Sequence, residues 1–328
     1  MRTQPNTRHF KTKASLFEGP FFYPLQSVWR KTGKQEFVCE HGELAFEQIR
    51  SSYVVAGDPR AKTLESQVKT FEKFVEQARS QGKSVCGYYF SEDFALSSGF
   101  EAHLCGVSRF QKLSRWSIDG GEAEEARRAL SKASEAGLEF ITLTKDNFKQ
   151  YKAKIEETNK LWERSKGRVE IKFLLSSIEK TIEQWINNSE MIFLCVDSNG
   201  QVEALISLRK YFGNTHWYLD SLVQRPDGHR FALDFLLVKS LENLKSIKAE
   251  ALCIGFCPGI IEQPSTWVEK TLNLWRKTKW LYSPQGLYNF KRKYSDSELP
   301  RYLLVEPSKP TWKQLLTLEV VTLYLRRR

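Results

Sequence analysis

The chain has 328 residues, of which 41% are hydrophobic and 13% aromatic, and carries a formal net charge of +11. That length and apolar content suffice for a folded protein with a sizeable core in about two domains. No run approaches the roughly 18 consecutive apolar residues of a membrane span, and the opening MRTQPNTRHFKTKASLFEGP is basic without the apolar segment of a secretory signal. The expected location is therefore cytoplasmic, with any membrane met only from outside.

The charge is unevenly placed. Residues 265–328 hold 13 Lys and Arg against 5 Asp and Glu, residues 1–34 hold 7 against 1, and the body between is slightly acidic. Basic ends on an acidic body point to a polyanionic partner, either nucleic acid phosphates or anionic lipid head groups. The six cysteines Cys39, Cys86, Cys105, Cys195, Cys253 and Cys257 sit mostly inside apolar runs such as FLCV and LCIGFC, without paired CxxC spacing, and read as buried free thiols. No Walker loop, G-x-G-x-x-G, H-E-x-x-H or G-x-S-x-G occurs, so nucleotide, zinc and serine-hydrolase chemistry has no motif to stand on.

Along the chain, EFVC and ELAFEQI flank Glu40-His41-Gly42, YVVA is a third strand, and Gly57-Asp58-Pro59 breaks the pattern. Leu64, Val68, Phe71, Val75 and Ala78 then stripe a helix, and SVCGYYF closes the unit as a strand. In the breaker, Gly57 permits a positive φ, Pro59 presets the turn, and Asp58 is expected to cap the helix that follows. Ser91 caps a short helix ending near Gly99, a second helix runs from about Ala123 to Ala136, and Thr144 caps a helix carrying Phe148, Tyr151, Ile155 and Trp162. From residue 191 the first order repeats: MIFLCV, the turn Asp197-Ser198-Asn199-Gly200, QVEALISLRKY, HWYLDSLV, the breaker Gln224-Arg225-Pro226-Asp227-Gly228, an amphipathic helix with Phe235, Leu236 and Leu241, and ALCIGF.

This twice-used order resembles the GNAT acyltransferase fold in tandem, an α/β (α+β) architecture of two lobes joined by a helix. The expected organisation is a basic arm over 1–34, a first lobe over 35–150, a second lobe with its linking helix over 151–295, and a basic amphipathic tail over 296–328. In that fold the central strand splays from its neighbour, and backbone N–H groups after the breaker can face an anion or carbonyl. Acetyl-CoA enzymes of the fold resemble one another in a Q/R-x-x-G-x-G/A loop there. Neither QRPDGHRFA nor GDPRA has that spacing, which disfavours acetyl-CoA as donor; no cofactor is expected.

Six stretches, GDPRA, GVSRFQKLSRWSIDG with Arg127 seven residues after its final glycine, LWERSKG, WYLDSLVQRPDGHRFALDFLL, IGFCP and GLYNFKRKYSDSELPRYL, together resemble the catalytic domain of phosphatidylglycerol lysyltransferases, the multiple peptide resistance factor family. The resemblance spans about residues 35–325 and implies two GNAT-like lobes around a tunnel. Aminoacyl-tRNA enters on one side and an anionic phospholipid on the other, and the lipid hydroxyl attacks the aminoacyl ester without metal or covalent intermediate. The family's catalytic domain is usually joined to a membrane-spanning flippase, absent from this sequence, so surface attachment is expected, through the tail TWKQLLTLEVVTLYLRRR or with that tail packed on the body.

The resemblance implies catalytic roles for Asp220, as the acid that meets the aminoacyl ammonium, and for Lys291. Strict alternation puts Asp220 with His216, Tyr218 and Leu222 on one strand face and Trp217, Leu219 and Ser221 on the other. Asp220→Asn is then expected to lower transfer with little effect on folding. Substrate contacts are implied for Gly57, Asp58, Arg127, Trp162, Lys166, Arg225, Asp234, Gly255, Phe290 and Lys293, with the Lys291-Arg292-Lys293 run beside an apolar strand as a phosphate cradle. Val223 stands where the family has an arginine, a role Arg225 could take, and Gly121-Glu122-Ala123-Glu124-Glu125 is acidic where the family is basic. A tRNA-dependent peptidyltransferase of the cell-wall crosslinking kind and a non-catalytic tRNA- or membrane-binding relative are the alternatives.

Overall fold

Short apolar runs separated by tight turns lay the first strands side by side. In the computed structural model, which describes residues 35–119, 123–165, 169–171, 191–212, 215–277, 284–307 and 311–325, β1 (Gln35–Cys39), β2 (Gly42–Ile49) and β3 (Ser52–Ala56) pair antiparallel in chain order. The two-residue β4 (Arg60–Ala61) folds back onto β2, helix α1 (Leu64–Ser80) crosses the sheet, and β5 (Ser84–Phe90) returns parallel to β3. The apolar stripe of α1 drives this packing: Phe71, Phe74, Val75 and Ala78 are buried against Leu44, Val55 and Val85. Thr63, not Asp58, caps α1, its side chain accepting from Ser66 N at 3.1 Å. The reason is β4, which occupies the chain directly after Pro59 and moves the helix start on to Leu64.

The short α2 (Glu92–Ser97), capped by Ser91 as expected, leads to the long β6 (Glu101–Lys112), then α3 (Glu124–Glu135), β7 (Glu139–Thr142), α4 (Phe148–Ser165) and β8 (Val169–Ile171). The second unit repeats the first. Strands β9 (Met191–Val196), β10 (Val202–Phe212) and β11 (His216–Gln224) are antiparallel neighbours, α5 (Ala232–Ser246) crosses over, and β12 (Ala251–Pro258) runs parallel to β11. After it come α6 (Trp267–Lys277), α7 (Pro284–Arg292), β13 (Ser297–Val305), α8 (Thr311–Thr322) and β14 (Leu323–Leu325), which pairs with β8. The fold is thus α/β and tandem GNAT-like, with Gly57-Asp58-Pro59 and Pro226-Asp227-Gly228 in equivalent connections between a third strand and a crossing helix.

Sheet order is β1-β2-β3-β5-β13-β6-β12-β11-β10-β9-β7, with β4 off the path on β2. The centre is an exchange. β6 follows the first unit in sequence but pairs with β12 of the second, while β13 follows the second unit and pairs with both β5 and β6. Buried polar bonds tie the exchanged strands together: Arg301 Nε donates to Ser108 Oγ at 3.0 Å, and Ser108 Oγ donates to Tyr89 OH at 2.9 Å. The Arg301 guanidinium also lies over the Tyr89 ring, 4.9 Å from its centroid.

Gly106 sits where β6 bends between its two partners, at φ 152°. A Cβ there meets the backbone oxygen of Cys257 at 2.3 Å. Gly106→Ala is accordingly expected to destabilise the protein by roughly 3 kcal/mol, through strain and overpacking at the exchange, read as a lowered urea midpoint.

Candidate active site

Among the described residues, parallel strands β11 and β12 pair at His216↔Ala251, Trp217↔Leu252 and Tyr218↔Cys253, and past Tyr218 and Cys253 they part. The parting leaves backbone groups in the interior that need partners. One partner comes from the last turn of α7: Lys291 Nζ donates to Phe256 O at 3.1 Å. Gly255, at φ 101°, makes room for it, since a Cβ on that residue falls 3.0 Å from Lys291 Nζ. Lys291 is only 7% exposed. Burial pushes its pKa below the ordinary lysine value, and the neighbouring Cys257 and Cys253 oppose that shift. Lys291 thus lies in the last turn of a helix, because Pro284 starts a helix that runs through the GLYNFKR stretch, and the apolar strand it lies beside is β12.

Asp220 lies on β11 just past the last paired residue. The register with β10 runs Ser207↔Ser221 and then Leu208↔Leu219, so Asp220 is the extra residue of a bulge. The bulge shifts the alternation by one: Leu222 joins Trp217 and Leu219 against α5, while Val223 enters the cluster under α4. This corrects the strict alternation expected from sequence. Arg209 Nε donates to Asp220 Oδ2 at 2.6 Å, and both side chains are nearly buried. Val223, 1% exposed, packs among Ile155, Leu194 and Leu205, so the position that the family gives to arginine is core here.

The equivalent gap of the first unit is closed. Gly57, at φ 80°, donates its N–H to Tyr88 O at 2.9 Å, and the buried Asp58 carboxylate accepts from Ser91 N at 2.9 Å and Ser91 Oγ at 2.6 Å. A carboxylate stitched to the opposing strand end stands where the second unit has an ammonium. At the second breaker, Glu203 accepts from His229 N at the start of the turn into α5, so an internal carboxylate meets that backbone donor.

A family profile described as phosphatidylglycerol lysyltransferase, C-terminal, matches residues 27–305. The chain belongs to that family. It is 21% identical over 275 residues to the phosphatidylglycerol lysyltransferase of Staphylococcus epidermidis, covering 81% of this chain and 32% of that protein, so it spans about a third of the length of the curated relatives it matches. Among solved structures it is similar to a C-terminal domain (DUF2156) described as belonging to a lysylphosphatidylglycerol synthetase of Agrobacterium fabrum, with TM-score 0.74, 20% identity, and 90% and 91% of the two chains covered. It is likewise similar to L-PGS from Bacillus licheniformis, with TM-score 0.72, 18% identity, and 93% and 97% covered. These two likenesses establish the shared fold.

The remaining family positions fall into three groups. Asp234 on α5 accepts from Tyr294 OH and, at 3.4 Å, from Lys293 Nζ, which also lies 3.6 Å from Glu125 of α3; Phe290 packs beside Tyr294, with ring centroids 5.6 Å apart. These side chains anchor α7 and thereby aim Lys291. Arg225 donates to Asp227 at 2.8 Å and to Glu157 of α4 at 3.1 Å, so its charge clamps the breaker to α4. Arg127 donates to Ile118 O at 2.8 Å from the exposed side of α3, and Trp162 packs half-buried under the Val223 cluster. Lys166 lies outside the described residues.

Sequence reasoning missed Arg209, Glu203 and Arg109. Arg109 on β6 donates to Glu298 and, at 2.8 Å, to Ser295 Oγ, which in turn donates to Lys291 O at 2.8 Å. The available signal was a charged residue inside an otherwise apolar strand run, as in ISLRKY and GVSRF.

Two measurements follow from these burials. Lys291 has its folded pKa below 10.5, so between the two values the unfolded chain binds more protons and stability rises with pH. The difference in unfolding free energy between the wild type and Lys291→Met should therefore shift toward the wild type as pH climbs to about 10.5 and stay flat below the window, as read from urea titrations. For Asp220→Asn, loss of the carboxylate leaves Arg209 buried without that counter-ion. A cost of roughly 3 kcal/mol is expected, in place of the small folding effect anticipated from sequence. Pairing Asp220→Leu with Arg209→Met should recover most of that stability.

Proposed function

We propose that the chain transfers an aminoacyl group from aminoacyl-tRNA to a hydroxyl of an anionic membrane lipid such as phosphatidylglycerol, with the chemistry in the gap between β11 and β12. The observation that carries this reading is the buried Lys291 ammonium beside Gly255, in a chain of this family. The lipid hydroxyl oxygen attacks the ester carbonyl carbon, a tetrahedral oxyanion forms, the ester bond to the terminal ribose breaks, and the hydroxyl proton passes to the departing ribose oxygen. The ester is already activated, so alignment and charge stabilisation are the main demands. Lys291 has three donors and gives one to Phe256 O, which leaves donors to meet the oxyanion or the lipid phosphate. Asp220, oriented by Arg209, meets the ammonium of the aminoacyl group. Basic residues over 1–34 and 265–328 serve the two polyanionic substrates, and the protein works at the inner face of the membrane.

The test is transfer by purified protein from charged tRNA to phosphatidylglycerol vesicles, with a lipid-linked peptide amine as competing acceptor and mass spectrometry of the products. Lys291→Met is expected to lower lipid aminoacylation by roughly a hundredfold, the scale of losing one preorganised donor, while retaining tRNA binding. The double variant Asp220→Leu, Arg209→Met should fold and still lose transfer. A fully active Lys291→Met protein removes the gap from the chemistry, and product on the peptide amine alone reassigns the acceptor.

A further inference from the structure

Helix α6 points an unusual stripe outward. Trp267, Lys270, Thr271 and Leu274, spaced i, i+3, i+4 and i+7, are all exposed, Trp267 by 54% and Leu274 by 65%, while Val268, Glu269 and Leu272 face inward. The helix is firmly fixed, so this exposure does not come from fraying. The Glu269 carboxylate accepts from Ser265 N at 2.7 Å, Ser265 Oγ at 2.8 Å, Thr266 N at 3.2 Å and, across to β6, Leu104 N at 3.0 Å. Helix α8 lies over the same cluster: Leu315 packs with Val268 and Leu272 against Tyr88, Cys105 and Leu303. Gln314 is buried and exchanges hydrogen bonds with the Glu306 backbone, at 2.7 Å and 3.0 Å. Trp312 nevertheless stands 56% exposed, with Lys313 Nζ over its ring, 5.4 Å from the centroid.

Single exposed apolar residues are ordinary, but two tryptophans and a leucine on two helices of one sheet face, interleaved with lysines, have a specific chemistry. Indole rings settle at the boundary between head groups and acyl chains, and lysines beside them meet lipid phosphates. We infer that Trp267, Lys270, Leu274, Trp312 and Lys313 form a docking surface for an anionic lipid bilayer. This surface deepens the lipid-acceptor reading, on which its biological meaning rests, and places the membrane against α6 and α8. An RNA surface needs a denser basic track, whereas here three large apolar groups stand against two cations.

The experiment is sedimentation with vesicles of phosphatidylglycerol and phosphatidylcholine in equal parts, and with vesicles of phosphatidylcholine alone. The triple variant Trp267→Ser, Leu274→Ser, Trp312→Ser is expected to bind the mixed vesicles roughly tenfold or more weaker, with an unchanged urea midpoint because the residues are exposed. Lys270→Glu with Lys313→Glu should erase the preference for the anionic vesicles. Both variants should keep wild-type tRNA band shifts, and Lys291→Met should lose transfer yet still sediment more with the mixed vesicles than with phosphatidylcholine alone, so a dead site and a lost surface read out separately. Wild-type vesicle binding by the triple variant overturns the proposal, as does a matching loss of tRNA binding.

Discussion

Two parallel strands that stop pairing after three residue pairs create the condition around which the second half of the molecule is arranged. Carbonyl groups beyond Tyr218 and Cys253 lie in the interior, where an unmet acceptor is expensive. Lys291 meets one of them, but moving an ammonium out of water costs several kcal/mol in its own right. The surrounding structure carries that cost. Tyr294 and Lys293 hold α7 to Asp234, Ser295 links the Lys291 carbonyl to Arg109, and Gly255 withholds the side chain that would displace the amine. Residues that look like separate family positions in the sequence are therefore one mechanical assembly.

Duplication supplied two such gaps with opposite contents. In the first, Asp58 crosses to Ser91 and the gap is satisfied by its own residues; in the second, a cation enters from outside the repeated unit. The second breaker has also filled its own donor, with Glu203 at His229. One topology thus carries a closed structural joint and a candidate reaction centre, and the difference lies in which charged side chain the neighbouring elements deliver.

The exchange of β6 and β13 makes the two halves mechanically continuous. One strand of each gap pairs on its other side with a strand contributed from the other half of the chain, β5 with β13 and β12 with β6, and Arg301, Ser108 and Tyr89 are bonded across three strands. Such a seam resists relative motion of the halves, which suits a site whose groups must keep a fixed geometry. It also fixes α6 and α8 on one face, so the orientation of the chemistry relative to their outer surface is set by the fold.

Much of the architecture was legible because it rests on local pattern. Alternating apolar residues, the turn at Asp197-Ser198-Asn199-Gly200, and the stripes of α1 and α5 specify the repeated unit without reference to distant residues. The roles expected of Asp220, Gly255 and Lys291 came from resemblance, not from pattern. Tertiary structure alone decided what those residues do to one another. A bulge at Asp220 is a mismatch between two strands and leaves no mark on either sequence; the Arg209 partner lies on the neighbouring strand; Asp58 finds Ser91 across a parallel pair; and Lys291 finds its acceptor on a strand 35 residues before it, past the point where that strand parts from its neighbour. Local periodicity fixes which face of an element is apolar, but the partner of a buried charge is chosen by long-range packing, where the cost of leaving it unpaired is largest.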